Sequence, residues 1–206
     1  VSGTSISFGT AVVFASGDTR YISLIYDSNA QKVVIAFADA DNSYYGKAIV
    51  GTVSGTSISF GSAVTFESAQ CEYVSATFDS SNNKVVIAYQ DHNNSEYGTA
   101  IVGTVSGTSI SFGSAVVFEN SDTTYVSIVY DTNAQKVVIP SQDDGNSDYG
   151  TAVVGTVSGT SISFGTPVVF ENAAASYVTA VYDATAQKVV ISYQDGGNSD
   201  YGTVIS

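Results

Sequence analysis

Four aspartates, Asp39, Asp91, Asp143 and Asp195, recur every 52 residues, and each is followed three positions on by an asparagine, Asn42, Asn94, Asn146 or Asn198. A second acid stands at Glu96, Asp148 and Asp200, where the first stretch has Tyr44. Carboxylate and amide oxygens clustered at short spacing suit a hard cation such as calcium. On that chemistry Asp39, Asp91, Asp143, Asp195, Asp148 and Asp200 are the candidate metal ligands. No cofactor is required, and calcium is the one the residues admit. The run is shorter than an EF-hand loop and lacks its closing glutamate. The competing reading is a hairpin whose Asp, Asn and Gly supply turn geometry and local hydrogen bonds.

Two tyrosine series accompany the acids: Tyr21, Tyr73, Tyr125 and Tyr177, and Tyr45, Tyr97, Tyr149 and Tyr201. Rings beside Asp and Asn oxygens are the ingredients of a sugar site, with apolar stacking and orienting hydrogen bonds. Both series, with Asn42, Asn94, Asn146 and Asn198, are the candidate ligand-binding residues. The alternative is packing, with each hydroxyl held by a nearby acceptor.

Catalytic chemistry finds no repeated support. His92 is the only histidine, so no repeated His-based site exists. Ser23, Ser75 and Ser127 have no base to activate them. Zinc spacings and phosphate loops are absent from the sequence. The lone Cys71 stands where other repeats have Thr19, Thr123 and Ala175, and cannot form an internal disulfide. One glycosylation sequon, Asn93-Asn94-Ser95, occurs in a single repeat. The expectation is a protein that is not an enzyme.

The elements positioning these residues follow from the repeat. VSGTSISFG begins at Val1, Val53, Val105 and Val157, which divides the chain into 1–52, 53–104, 105–156 and 157–206. No linker separates the repeats, so the expectation is one domain, 1–206. Each repeat reads as four strands. In the third, strand A starts at Tyr125, B at Lys136, C at Tyr149 and D at Thr108. A, B and C are apolar on both sides of the pleat, as in VSIVY, KVVI and TAVV, so both faces must be covered. D alternates Ser with Ile and Phe, as near an edge. Pro140 in strand B lacks a ladder donor and predicts a bulge there. These features predict an all-β, four-bladed β-propeller. Its ring would close by pairing the N-terminal strand with the blade that Ser206 leaves unfinished.

The motif carried by Tyr125 to Gly165 and its equivalents, YVSIVYD, QKVVI, NSDYGTAVVGTVSGTSISFG, resembles a family of highly repetitive extracellular or tail-fibre-like propeller repeats. The resemblance spans the whole chain. It implies the propeller fold and an extracellular, cell-surface or particle-surface setting, and it transfers no catalytic residue.

Charge has a side in this reading. Of 19 acids, Asp27, Asp79, Asp131 and Asp183 stand at A–B turns opposite Lys32, Lys84, Lys136 and Lys188. The other 15, against Arg20 and Lys47, account for the net charge of −13 and fall in or beside the D–A and B–C loops. The repeats also differ most there. Such a charge disfavours nucleic acid and anionic membranes as partners. No apolar run reaches membrane-spanning length, so membrane insertion is not expected. The chain opens on Val1 and contains no Met, which reads as a processed or excised product. The expected function is a non-enzymatic extracellular recognition module, binding a glycan or other surface ligand through the acidic loops. The alternative is a structural, self-assembling repeat protein.

Overall fold

β-branched and aromatic residues in short runs, punctuated by Asx turns and left-handed residues, give a chain that is strand almost throughout. The computed structural model describes residues 3–206. Its strands are β1 (Thr19–Asp27), β2 (Lys32–Asp39), β3 (Tyr45–Ser54), β4 (Ser57–Phe60), β5 (Val64–Asp79), β6 (Lys84–Asp91), β7 (Tyr97–Ser106) and β8 (Ser109–Phe112). They continue as β9 (Val116–Thr124), β10 (Val129–Asp131), β11 (Lys136–Asp143), β12 (Tyr149–Ser158), β13 (Ser161–Phe164), β14 (Val168–Asp183), β15 (Lys188–Asp195) and β16 (Tyr201–Ile205). All pairings are antiparallel, and together they form one 16-stranded order.

Each A–B hairpin turns on an aspartate whose carboxylate accepts from backbone amides two or three residues on. Asp79 Oδ1 takes Ser81 N at 2.9 Å and Asn82 N at 3.0 Å, and Asp131 Oδ1 takes Asn133 N and Ala134 N. Gln31, Asn83, Gln135 and Gln187 then adopt positive φ to bring the chain back. Each of these aspartates faces its lysine across the strands, as in Asp79↔Lys84.

Strand D comes in two pieces on the same neighbour. β4 pairs the far end of β3, from Gly51↔Phe60 to Ser54↔Ser57, and the start of β5 pairs the near end, from Ala48↔Val64 to Tyr45↔Gln70. β5 then continues without a break as strand A of the next four-stranded unit, from Cys71↔Asp91 to Asp79↔Lys84. The segment expected as a D–A loop in the second repeat is therefore a bulged strand crossing between units. β14 does the same in the fourth. The units number four: β1–β4 with the start of β5, then two more of the same plan, then the rest of β14 with β15 and β16.

Both faces of the middle units are covered, because apolar residues on each strand meet the next unit. Val34, Ala36 and Val50 pack with Val74, Ala76, Val85 and Tyr89. Val86, Ala88 and Val102 pack with Val126, Ile128 and Ile139. A third cluster joins Tyr125 and Ala152 to Val178, Ile191 and Tyr193.

The expected closed four-bladed propeller is not what the chain forms, although the all-β class and the four-strand plan stand. The strand order runs open from β1 to β16, and these end strands pair only with β2 and β15. Residues 6–13, which the closure needed as a strand on β16, have no strand structure. Val1, where the splice was to begin, lies outside the described residues. Phe14 instead anchors this segment on Phe37 and Phe60, at centroid distances of 5.3 and 6.2 Å. With the ends unjoined, Ile22, Leu24 and Tyr26 on one end and Tyr177, Val181 and Val204 on the other stay exposed.

Pro140 does not bulge its own strand: β11 pairs β12 in unbroken register. The missing proline N–H removes a bond from the strand opposite instead. Ser127 N still donates to Pro140 O at 3.0 Å, but strand A of this unit is reduced to the three residues of β10.

Candidate functional site

The B–C connection has one design in all four units. A single 3-10 turn, Ala40–Asn42, His92–Asn94, Asp144–Asn146 or Gly196–Asn198, is followed by two residues at positive φ. The second of these, Tyr44, Glu96 or Asp148, offers its carbonyl to the crossing strand. Cys71 N, Thr123 N and Ala175 N donate to them at 3.0, 3.1 and 3.0 Å. In this way the B–C loops and the crossing segments are laced together on one side of each unit.

The four aspartates that begin these loops are occupied locally. Asp39 pairs with Lys47, and Asp143 accepts from the Ser121 hydroxyl. Asp91 accepts from Asn94 N at 3.3 Å, and Asp195 from Gly197 N at 3.0 Å and the Thr203 hydroxyl at 3.4 Å. Asp91 and Asp195 thus serve their own turns, while Asp39 and Asp143 are taken by side chains of neighbouring strands. Among the described residues no three His, Cys, Asp or Glu side chains come close enough together to hold a metal ion. Asp148 and Asp200 occupy left-handed positions in separate units. Asn42, Asn94, Asn146 and Asn198 close the 3-10 turns with exposed side chains.

Tyr21, Tyr73, Tyr125 and Tyr177 are brought together. Tyr21, Tyr73 and Tyr177 sit at bulges and Tyr125 in the gap between β9 and β10, all with φ near +50°, a conformation that costs a bulky side chain about 1–3 kcal/mol. This conformation turns the rings into one row with centroids 5.5, 5.4 and 5.1 Å apart. Each ring pair contributes about 0.5–1.5 kcal/mol, which offsets the strain for rings with neighbours on both sides. The faces of Tyr73 and Tyr125 are consequently engaged with other rings. Tyr177, at the end of the row, is exposed. The Tyr21 hydroxyl donates to Glu72 at 2.8 Å, and burial followed by this acid raises its pKa well above the usual tyrosine range. Tyr45, Tyr97, Tyr149 and Tyr201 begin strand C, each opposite its unit's loop aspartate, as in Asp91↔Tyr97.

Side-chain bonds gather the side further. Gln90 donates to Asp122 of the crossing strand β9 at 2.7 Å, and across units the Ser176 hydroxyl donates to Gln142 at 3.1 Å. Burial raises the pKa of Glu67, Glu119 and Asp144, each reinforced by a neighbouring acid.

One pattern escaped the sequence reading although its signal was there. Tyr89 donates to Glu67 at 3.1 Å, and Tyr193 to Glu171 at 2.9 Å. At the same two places the first repeat has Phe37 and Ala15, so hydroxyl and acid are lost together, whereas the third keeps the acid as Glu119 with Ser141 in place of the tyrosine. Position by position comparison of the repeats reveals that exchange. Lys47, where the others have Thr99, Thr151 and Thr203, enters in the same repeat and pairs with Asp39. His92 and Glu96 form an exposed pair at 3.2 Å with no nucleophile attached.

No family model matches the chain, and no curated protein matches it.

Proposed function

We propose that the chain is a non-enzymatic recognition scaffold whose laced, acidic side takes a polyhydroxyl ligand such as a glycan, or a cationic surface. The observation that carries this reading is the set of bonds joining crossing segments to B–C loops, and units to one another. They bring together the B–C loops of the first three units and the strands that cross to their neighbours. A rigid frame displaying variable polar groups is the usual arrangement for binding. Because the inner rings of the row cover one another at a tilt, a ligand meets hydroxyls, amides and carboxylates there, with exposed rings at Tyr177 and Tyr201. An extracellular or particle-surface setting belongs to the same proposal.

The test is a glycan array with and without calcium, together with a cationic and an anionic polymer at low salt. Binding of a glycan or of the cationic polymer, weakened by Asn94→Ala with Asn146→Ala, is the expected result. Preference for the anionic polymer and silence on the array would overturn the reading. A structural, self-assembling role is the second reading, favoured by the two exposed ends.

A further inference from the structure

We propose that the two exposed ends are the halves of one interface, and that a second copy of this chain docks head to tail on the first. Unit one of one molecule, with its Phe14 segment, sits against unit four of the next.

The interior of the chain shows what such an interface contains, because the same contact is made three times. Ser23 Oγ accepts from Ala76 N at 3.0 Å, Ser75 Oγ from Ile128 N at 3.2 Å, and Ser127 Oγ from Ala180 N at 3.2 Å. The next hydroxyl in that series is Thr179, on the exposed face of unit four. The amide heading the series is that of Leu24, on the exposed face of unit one. Leu24 is 63% exposed, whereas its interior equivalents Ala76 and Ile128 are 8% and 6% exposed. Val204 is 65% exposed, whereas Ala48 and Ala100 at the same place are fully covered. Tyr177 ends the ring row and Tyr21 begins it.

Glycine contacts mark the fit more sharply. A Cβ added at Gly46, Gly98 or Gly150 would lie 2.4, 2.6 or 2.4 Å from the ring of Phe66, Phe118 or Phe170. Each of these glycines is a seat for the phenylalanine of the strand that pairs there. At Gly202, the fourth of the series, nothing lies within 4 Å. The phenylalanine that precedes Phe66 in the series is Phe14. It already rests on Phe37 and Phe60 as Phe66 rests on Tyr89 and Phe112. A second series agrees. A Cβ at Gly9, Gly61 or Gly113 would meet the carbonyl oxygen of Thr56, Thr108 or Thr160 within 1.9 Å. At Gly165 the nearest atom is Val154 O at 3.8 Å. The threonine that would complete this series is Thr4 of another molecule.

The register follows. β3 and β5 pair as Ala48↔Val64, Lys47↔Thr65, Gly46↔Glu67 and Tyr45↔Gln70. Moved along one repeat, the second molecule pairs Val12 with Val204, Val13 with Thr203, Ala15 with Gly202 and Asp18 with Tyr201. Addition of a strand to an open edge supplies main-chain hydrogen bonds, and the covered apolar residues supply burial. A depression of about 490 Å³ lined by Tyr177, Tyr193, Gly202 and Val204 receives the incoming unit. The two surfaces differ, so the contact is heterologous and can propagate.

The test is sedimentation velocity of the 206-residue chain over a wide concentration range. Gly202→Val blocks the seat on unit four, and Leu24→Glu places a charge on unit one. The wild-type mass should grow with concentration, and either variant should weaken association by about tenfold or more. Gly202→Val fills open space, so its melting curve should match the wild type, which separates lost docking from lost folding. A mixture of the two variants retains one good end on each molecule and should form dimers and nothing longer. A wild type that stays monomeric throughout overturns the proposal. So does a Gly202→Val variant that associates as the wild type does, or a mixture that fails to dimerise.

Discussion

Glu67 and Tyr89 show how one repeat solves a problem that another avoids. Burial raises the Glu67 carboxyl, and the Tyr89 hydroxyl donates to it from an almost fully covered ring. Tyr89→Phe should therefore destabilise the fold by about 1.5–3 kcal/mol, the range for a hydrogen bond to a charged group. Adding Glu67→Ala reproduces the Ala15 and Phe37 pair of the first repeat and should recover most of that loss. Denaturant melts of both single variants and the double variant give the coupling. Additive losses would mean that the two side chains act independently. The pair was legible in the exchange between repeats. What the sequence could not show was that the loop aspartates would each be occupied by a nearby group, such as Lys47 in the same unit or Ser121 on the crossing strand.

Among the elements, the strands crossing between units depart most from expectation. Polar runs such as ESAQCE look like loops, yet both halves of β5 find partners, and the bulges absorb the mismatch. In the third unit β9 still crosses from β7 to β11, but the strand breaks after Thr124, because Ser127 faces a residue with no amide. Pro140→Ala should restore that donor and extend β10 back toward β9. The measurement is amide hydrogen exchange across residues 125–131, expected to slow in the variant. Unchanged exchange would place the cause of the break elsewhere. The wild-type side of this effect was half legible: proline in a strand announces a lost bond, but which strand yields depends on the partner.

For the molecule as a whole, the crowded acids give stability an unusual pH slope. Glu67, Glu119 and Asp144 have folded pKa values raised, first by burial and then by neighbouring carboxylates. The folded chain then binds more protons than the unfolded chain just above the ordinary carboxylate range, so their contribution falls as pH rises through that window. The melting temperature should be higher at about pH 5 than at about pH 7.5. A flat or opposite slope in calorimetry would mean that these carboxyls are well solvated. At the alkaline end burial pushes Tyr193 up to about 12 and raises Tyr21, Tyr73 and Tyr89 as well. Those tyrosines favour the fold below the ordinary tyrosine range, and their contribution is lost as pH climbs beyond about 10.

By itself the sequence determined the 52-residue period, the all-β class, the four strands of each repeat and the aspartate turns. These are local matters: alternation, β-branched runs and Asx or left-handed residues act over a few positions. It also determined that A, B and C need cover on both faces. It left open what supplies that cover at the ends, because a repeat matches the next repeat of its own chain and of another molecule equally well. The tertiary structure decided that the order stays open, that the tyrosines form a row, and that Gly202 and Phe14 each lack the partner their interior equivalents have. Those facts depend on how successive units meet in space, which spacing along the chain does not encode.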